Sequence, residues 1–324
     1  MYRKIMGFLE AWKESEHRKP LILQGARQVG KTYSILEFGR THYENVAYFN
    51  FETNPKLNET FEENISPDYL IPILSHIAGQ TIVKEKTLIV FDEVQLCERA
   101  LTSLKYFCEN APDYHIIVAG SLLGVAVNRA KFSFPVGKVD MKTLYPMDME
   151  EFMLALGEDD LVEQIKKCFQ TDTPLPSALH DAAMQLYRQY LVVGGMPECV
   201  MQFAETKDYI LVRHTQDTIL ASYLNDMSKY NNLNEIKKTR LAYDNITVQL
   251  SKKNTRFQYK LIKKGGRASE FENAIEWLCL SGIVSQVYKV EQIKKPLENY
   301  RDIDAFKIYV SDLGLLCAKK DLAA

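Results

Sequence analysis

Apolar positions in the first half of the chain fall into short unbroken runs. Leu21–Gln24 is the first, followed by "NVAYFNF" (Asn45–Phe51), "TLIVF" (Thr87–Phe91), "HIIVAG" (His115–Gly120) and "KVDMKTLYPM" (Lys138–Met147). Runs this short and this apolar predict strands buried on both faces of a parallel sheet. The stretches between them, such as "EVQLCERALTSLKYFCEN", carry helical spacing. Strand and helix in alternation predict an α/β sheet with helices on both sides. After about residue 148 the period changes. "MEEFMLALGEDDLVEQIKKCF", "PSALHDAAMQLYRQYLVVGG" and "TKDYILVRHTQDTILASYLNDMSKY" read as helices, interrupted by "DTPLP" and "GGMPE". From about 231 three short helices are predicted, the last being "ASEFENAIEWLCLSG", then two strand-like pieces, "IVSQVYKV" and "FKIYVSD". Helices leading into a short β-ribbon predict a winged-helix module.

The first apolar run opens onto Gly25-Ala26-Arg27-Gln28-Val29-Gly30-Lys31-Thr32, which fits G-x-x-x-x-G-K-[ST] throughout. The glycines let backbone N–H groups curl around a phosphate without a Cβ in the way. Lys31 reaches the β- and γ-phosphates, and the Thr32 hydroxyl takes a place on Mg²⁺. The helix that starts there points its N-terminus at the anion. A strand before the loop and a helix after it, Thr32 to about Phe38, are the context this motif requires. ATP with Mg²⁺ is the expected cofactor pair; no N-K-x-D guanine motif is present.

Two further strand ends supply candidate chemistry. The third run ends in Phe91-Asp92-Glu93-Val94-Gln95. A carboxylate at the tip of a buried strand is costly unless a cation meets it. Asp92 is therefore expected to hold Mg²⁺ as a Walker B acid, and Glu93 to orient and polarise the attacking water. The fourth run ends in Ala119-Gly120-Ser121, where Ser121 could sense the γ-phosphate; an ordinary turn has the same residues.

Together with Gly25–Thr32, "FDEVQ" (91–95), "AGSLLG" (119–124), "FPVGKV" (134–139) and "LYPMDMEEF" (144–152) the chain resembles a family of prokaryotic AAA-type ATPases that carry a C-terminal domain of unknown function. The resemblance continues through "YLVVGGMPE" (190–198), "NDMSKY" (225–230), "QLSKKNTRFQYKLI" (249–262) and "KIYVSDLGLL" (307–316), nearly the whole chain. It implies an α/β P-loop NTPase parallel sheet, AAA-like, then a helical lid, a winged helix and a nuclease-like α/β domain. The expected division is an ATPase core at 1–148, a lid at 149–230, a winged-helix-like domain at 231–300 and the start of a truncated domain at 301–324. The sequence reaches Ala324 about where the nuclease-like fold would begin, and no Asp…Glu-x-Lys set follows, so no nuclease activity is expected of these residues. AAA-type oligomers use a trans-acting arginine just before the fifth strand. Arg129 and Lys138 lie in that region, where two solvated basic residues would look the same.

Charge adds a partner question. Residues 1–230 hold 23 Lys and Arg against 31 Asp and Glu, whereas residues 231–324 hold 17 against 11. "KKNTRFQYKLIKKGGR" carries Lys252, Lys253, Arg256, Lys260, Lys263, Lys264 and Arg267 with no acid. Such a stretch could lie on DNA phosphates, giving salt-dependent and mostly sequence-blind binding; a solvated helix face, or contact with the acidic front, is the plainer reading. Phe257 and Tyr259, interleaved with the cations, are expected in the core of the small module.

The remaining composition narrows the class. The chain has 324 residues, 46% hydrophobic and 25% charged, as expected for a globular protein of two or three domains. It has no run of 18 apolar residues and no signal-peptide pattern at its N-terminus, so a cytoplasmic protein without membrane contact is expected. Cys97, Cys108, Cys168, Cys199, Cys279 and Cys317 are scattered without a C-x-x-C pair and read as reduced thiols. His115, inside an apolar run, reads as a core histidine. The leading expectation is Mg-dependent ATP hydrolysis coupled to DNA or to a protein partner, which includes a second copy of the chain. A nucleotide-switched DNA- or protein-binding module with negligible turnover is the alternative. A small-molecule kinase fits less well, since the tail is winged-helix-like and no acceptor pocket is evident.

Overall fold

The computed structural model describes residues 1–120, 134–229, 233–253 and 255–320, and these divide into two units, Tyr2–Tyr145 and Pro146 onward. The first unit runs α1 (Ile5–Lys13), β1 (Leu21–Gln24), α2 (Lys31–His42), β2 (Asn45–Asn50), α3 (Lys56–Glu63), α4 (Pro67–Ala78), β3 (Thr87–Asp92), α5 (Glu98–Asn110), β4 (His115–Ala119) and β5 (Asp140–Thr143). The five strands form one sheet in the order β2-β3-β4-β1-β5, every pair parallel. β3 and β4 are buried along their whole length, which is why their sequences show no alternation.

Helices cover both faces. On one, Phe61, Leu74 and Leu104 from α3, α4 and α5 pack on Phe49, Phe91 and Val118 of the sheet. On the other lies α2, packed so closely that a Cβ at Gly39 would meet Val46 of β2 and Leu88 of β3. The α/β parallel sheet expected from the alternating runs is therefore present. Its fifth strand is shorter than the run Lys138–Met147 that announced it: pairing with β1 covers only Asp140–Thr143, and this edge strand is half-exposed and polar. Next to it the backbone of Leu144 returns to β1, donating its N–H to the Gln24 carbonyl at 2.8 Å.

The second unit begins with helices, as its spacing predicts: α6 (Met149–Ala155), α7 (Asp159–Gln170), α8 (Ser177–Val193), α9 (Pro197–Thr206) and α10 (Tyr209–Lys229). Asp148 and Glu151 close a reciprocal capping box at the start of α6. α11 (Leu233–Leu250) and α12 (Ala268–Leu280) follow, then β6 (Val284–Val290), β7 (Arg301–Val310) and α13 (Leu313–Lys319). Where three short helices were expected after 231, there is one long helix, a single 3-10 turn at Tyr259–Leu261, and α12. The ribbon of β6 and β7 is antiparallel and straddles residue 300.

Two sequence motifs meet in this unit. Gly195 of "GGMPE" donates its N–H to Asp312 Oδ2 at 2.6 Å, and Asp312 Oδ1 accepts from Leu315 N at 2.8 Å, capping α13. Burial raises the Asp312 carboxyl above the usual aspartate range, while the amides of Gly195, Leu315 and Gly314 oppose the rise. A side chain at Gly194 would collide with Asp312 and Gly314. The double glycine and the "SDLGL" segment are thus two halves of one packing contact.

Candidate functional site

β1 delivers the chain to Gly25 at the edge of the sheet, and α2 carries it away from Gly30. Between them the backbone takes left-handed or related values at Gly25 (φ 149°), Gln28 (φ 66°) and Gly30 (φ 90°). Gly25 has no room for a side chain, because a Cβ would overlap the Leu144 carbonyl oxygen. Ala26 and Val29 are buried, whereas Arg27, Gln28 and Thr32 are half-buried. The Lys31 ammonium, itself buried, donates to the Gly25 and Ala26 carbonyls at 2.9 and 2.8 Å.

The strand-end acid is where the apolar run puts it. Asp92 ends β3, is only 5% exposed, and its Oδ2 accepts from the Thr32 hydroxyl at 2.8 Å. Its Oδ1 accepts from the backbone N–H of Glu93 at 2.9 Å. Thr32 and Asp92, 60 residues apart, are brought into direct contact because β3 ends where α2 begins, at the same rim of the sheet. Glu93 takes a left-handed conformation (φ 52°), unusual for a residue with a side chain and a form of strain common at functional sites. Its Oε2 accepts from the Gln95 side-chain amide.

A residue that pattern reading missed joins this cluster. Tyr48 on β2 donates its hydroxyl to Asp92 Oδ2 at 2.8 Å, and Asn50 donates to the Tyr48 hydroxyl at 3.2 Å. Burial pushes the Tyr48 phenol up to about 12, with Asn50 opposing and Asp92 adding to the rise, so it remains a donor at neutral pH. The available signal was a tyrosine and an asparagine two apart in "NVAYFNF", one polar tip on each, pointing along the same face of a strand. Ser121 and Arg129 lie outside the described residues. Lys138 pairs with Glu109 at 2.9 Å.

The donor set suits a hard divalent cation: a buried carboxylate with a threonine hydroxyl already on it, oxygen atoms throughout. Lysine, loop amides and a helix N-terminus alongside suit a polyphosphate. Among the described residues no cluster of His, Cys, Asp and Glu forms another metal site.

In the second unit, the seven cations from Lys252 to Arg267 are all exposed or half-exposed. Two have structural partners as well: Lys263 pairs with Glu270 at 3.1 Å, and Arg256 donates to the Asp304 carbonyl at 2.9 Å. Phe257 is buried and stacks on Phe306, with centroids 5.5 Å apart, and its N–H donates to the Phe306 carbonyl. Tyr259 stands edge-on to both rings. Phe257 is core, as expected, whereas Tyr259, also expected in the core, is half-buried at the rim of the cluster. They border an open groove of about 870 Å³ whose other wall is α12, and the exposed residues on that wall include Glu272 and Glu276.

Comparison with known proteins agrees with this anatomy. Residues 17–153 match a family model described as an AAA domain, and residues 184–324 match a domain of unknown function, DUF8612. No curated protein matches the chain. Among solved structures it is similar to the Walker-type ATPase PABY2304 of Pyrococcus abyssi, at 13% identity and a TM-score of 0.59, covering 98% of this chain and 95% of that one. It is also similar to the ORC2 protein of Aeropyrum pernix, solved as ADPNP and ADP complexes, at 12% identity and a TM-score of 0.50, covering 99% and 94%. At such identities the likeness is one of fold.

Proposed function

We propose that this chain, which joins an AAA domain of the P-loop ATPases to a C-terminal domain of unknown function, binds ATP with Mg²⁺ and hydrolyses it. The observation that carries the proposal is the 2.8 Å contact between the Thr32 hydroxyl and the buried Asp92 carboxylate beside a complete phosphate loop. Thr32 and Asp92 would hold Mg²⁺, which when bound neutralises charge on the β- and γ-phosphate oxygens. Lys31 exchanges its two loop carbonyls for phosphate oxygens. The amides of residues 25–32 hold the same phosphates without reorganising, which is where most of the stabilisation in such a site arises. Glu93, one residue beyond Asp92, orients a water and accepts its proton as the water oxygen bonds to the γ-phosphorus and the bond from that phosphorus to the β–γ bridging oxygen breaks, ADP leaving with the electron pair. Ser121 is proposed to report on the γ-phosphate.

The helices of 149–230 are proposed as a lid, and α11, α12 and the β6–β7 ribbon as a winged-helix-like output module. Its target is proposed to be DNA phosphates, engaged through Lys252, Lys253, Arg256, Lys260, Lys263, Lys264 and Arg267. The exposed acids on α12 favour contact through the loop rather than through that helix. Free cysteines throughout suit a reducing cytoplasm, and no described helix is long and apolar enough to cross a membrane.

One observation favours the reading with negligible turnover: the Gln95 side-chain amide already holds one of the two carboxylate oxygens of Glu93. Steady-state phosphate release from Mg-ATP, with and without duplex DNA, separates the two. The expected result is release that Glu93→Gln lowers by about 10²–10⁴-fold, the range for losing a general base, while ATP still binds. Tight binding with no release by the unaltered chain would leave a nucleotide-dependent binding module.

A further inference from the structure

Arg3 lies at the head of α1 and is only 3% exposed. Its Nη1 donates to the Val29 carbonyl at 2.9 Å, and its Nη2 to the Tyr145 carbonyl at 2.8 Å. Val29 is the residue before Gly30 in the phosphate loop. In a trans peptide the carbonyl and the next N–H point in opposite directions. With Val29 O turned to the guanidinium, the Gly30 N–H is turned the other way.

That restraint matters because of what flanks it. Gly30 sits at φ 90° and has no side chain to bias it, so its preceding peptide is intrinsically free to flip. A flipped peptide would present a carbonyl oxygen to an anion in place of a donor. An anion cradle depends on successive N–H groups facing inward. Until nucleotide draws it away, Lys31 fixes the Gly25 and Ala26 carbonyls within the same loop. Arg3 performs the equivalent task on Val29 from outside the motif. The planar guanidinium suits it, since one fork reaches two carbonyls at once, which an ammonium does not reproduce.

We propose that Arg3 is a positioning residue for phosphate binding: it locks the Val29–Gly30 peptide so that the Gly30 N–H faces the nucleotide phosphates, and it anchors that peptide to Tyr145, the last residue of the ATPase unit. The inference rests on the nucleotide-binding reading above.

The test compares the full chain with Arg3→Lys and Arg3→Met. Calorimetric titration with Mg-ATP and Mg-ADP is expected to show affinity about tenfold weaker in Arg3→Lys and about a hundredfold weaker in Arg3→Met, the scale of one and two charge-assisted hydrogen bonds. KM rises more than kcat falls. Carbonyl-¹³C valine with ¹⁵N glycine selects the Val–Gly pairs, and the Gly30 amide signal that moves on adding Mg-ADP to the parent chain stays in place in Arg3→Met. A lower melting temperature with nucleotide affinity and the Gly30 response intact would make Arg3 a packing residue and overturn the proposal. Should Arg3→Met fail to fold, the same two readouts in Arg3→Lys decide. Failure of the parent chain itself to bind ATP overturns the nucleotide reading; binding by the parent that both variants match overturns this inference alone.

Discussion

Thr32 shows how much one hydroxyl can be asked to do. It stands in the first turn of α2, touches Asp92 and belongs to the phosphate loop, so a change there tests the proposed metal binding. Thr32→Ala is expected to raise the Mg²⁺ concentration needed for half-maximal ATP binding by about tenfold, whereas Thr32→Ser keeps it near the parent value; titrating Mg²⁺ at fixed ATP reads this. Gly25 tests the opposite property. A methyl group there would run into the Leu144 carbonyl at a φ of 149°, so Gly25→Ala should lower stability by at least about 2 kcal/mol. Urea unfolding followed in the absence of nucleotide checks it, and an unchanged midpoint would mean that the Leu144 backbone, just past β5, moves aside. The residues whose positions could be read from the sequence are those marked by their neighbours: Gly25, Lys31 and Thr32 in one loop, Asp92 at the end of an apolar run. Arg3 and Tyr48 act on partners 26 and 44 positions away. No local period carries such information, and a lone cation before an amphipathic helix looks like a solvated one.

At the scale of elements, the centre of the sheet was legible because β3 and β4 are buried on both faces and so have no exposed positions to confuse the reading. The same helix–strand contrast located the all-helical stretch after residue 148. What stayed hidden was anything decided by pairing. β7 starts at Arg301, inside a charged segment with no strand pattern, because β6 supplies its partner groups. α13 is short and depends on the Asp312 cap, which the Gly195 N–H also holds, and on Gly194 docking against Gly314. The junction of β4 with α1 and the loop after α2 gives a pH test. His115 opens β4, packs edge-on to Trp12, and its Nδ1 lies 2.7 Å from the Tyr43 hydroxyl. Burial, then the charges of Arg18 and Lys13, lower its pKa from the ordinary 6.5 to about 4. The unfolded chain therefore takes up a proton that the folded chain refuses between those values. The contribution of neutral His115 is complete above about pH 6.5 and lost as pH falls through about 4. Melting temperatures measured from about pH 7 down to about pH 4 should decline more steeply for the parent than for His115→Gln, and parallel curves would remove His115 from the account.

For the whole molecule, charge is segregated along the chain, and the DNA reading depends on that segregation. Replacing Lys252, Lys253, Lys260 and Lys264 with Glu is expected to weaken duplex binding and to flatten its salt dependence, by about 0.9 in log–log slope for each phosphate that is no longer neutralised. ATP affinity in the first unit should be unaffected. Duplex binding that keeps its slope would place the DNA-binding face elsewhere. The order of strands in the sheet has one more consequence, for synthesis rather than for chemistry. β1 is made first yet lies between β4 and β5, whose residues are 115–119 and 140–143. As the chain leaves the ribosome, Leu21, Ile22 and Leu23, fully buried in the finished fold, have nothing to pair with until roughly ninety further residues have brought β4, and still more β5. Parallel pairing over such separations is slow and leaves sticky intermediates. The phosphate loop is thus among the first parts translated and among the last to take shape. A nascent chain stalled before residue 115 would display those three apolar residues to chaperones and offer a nucleotide no finished place to bind.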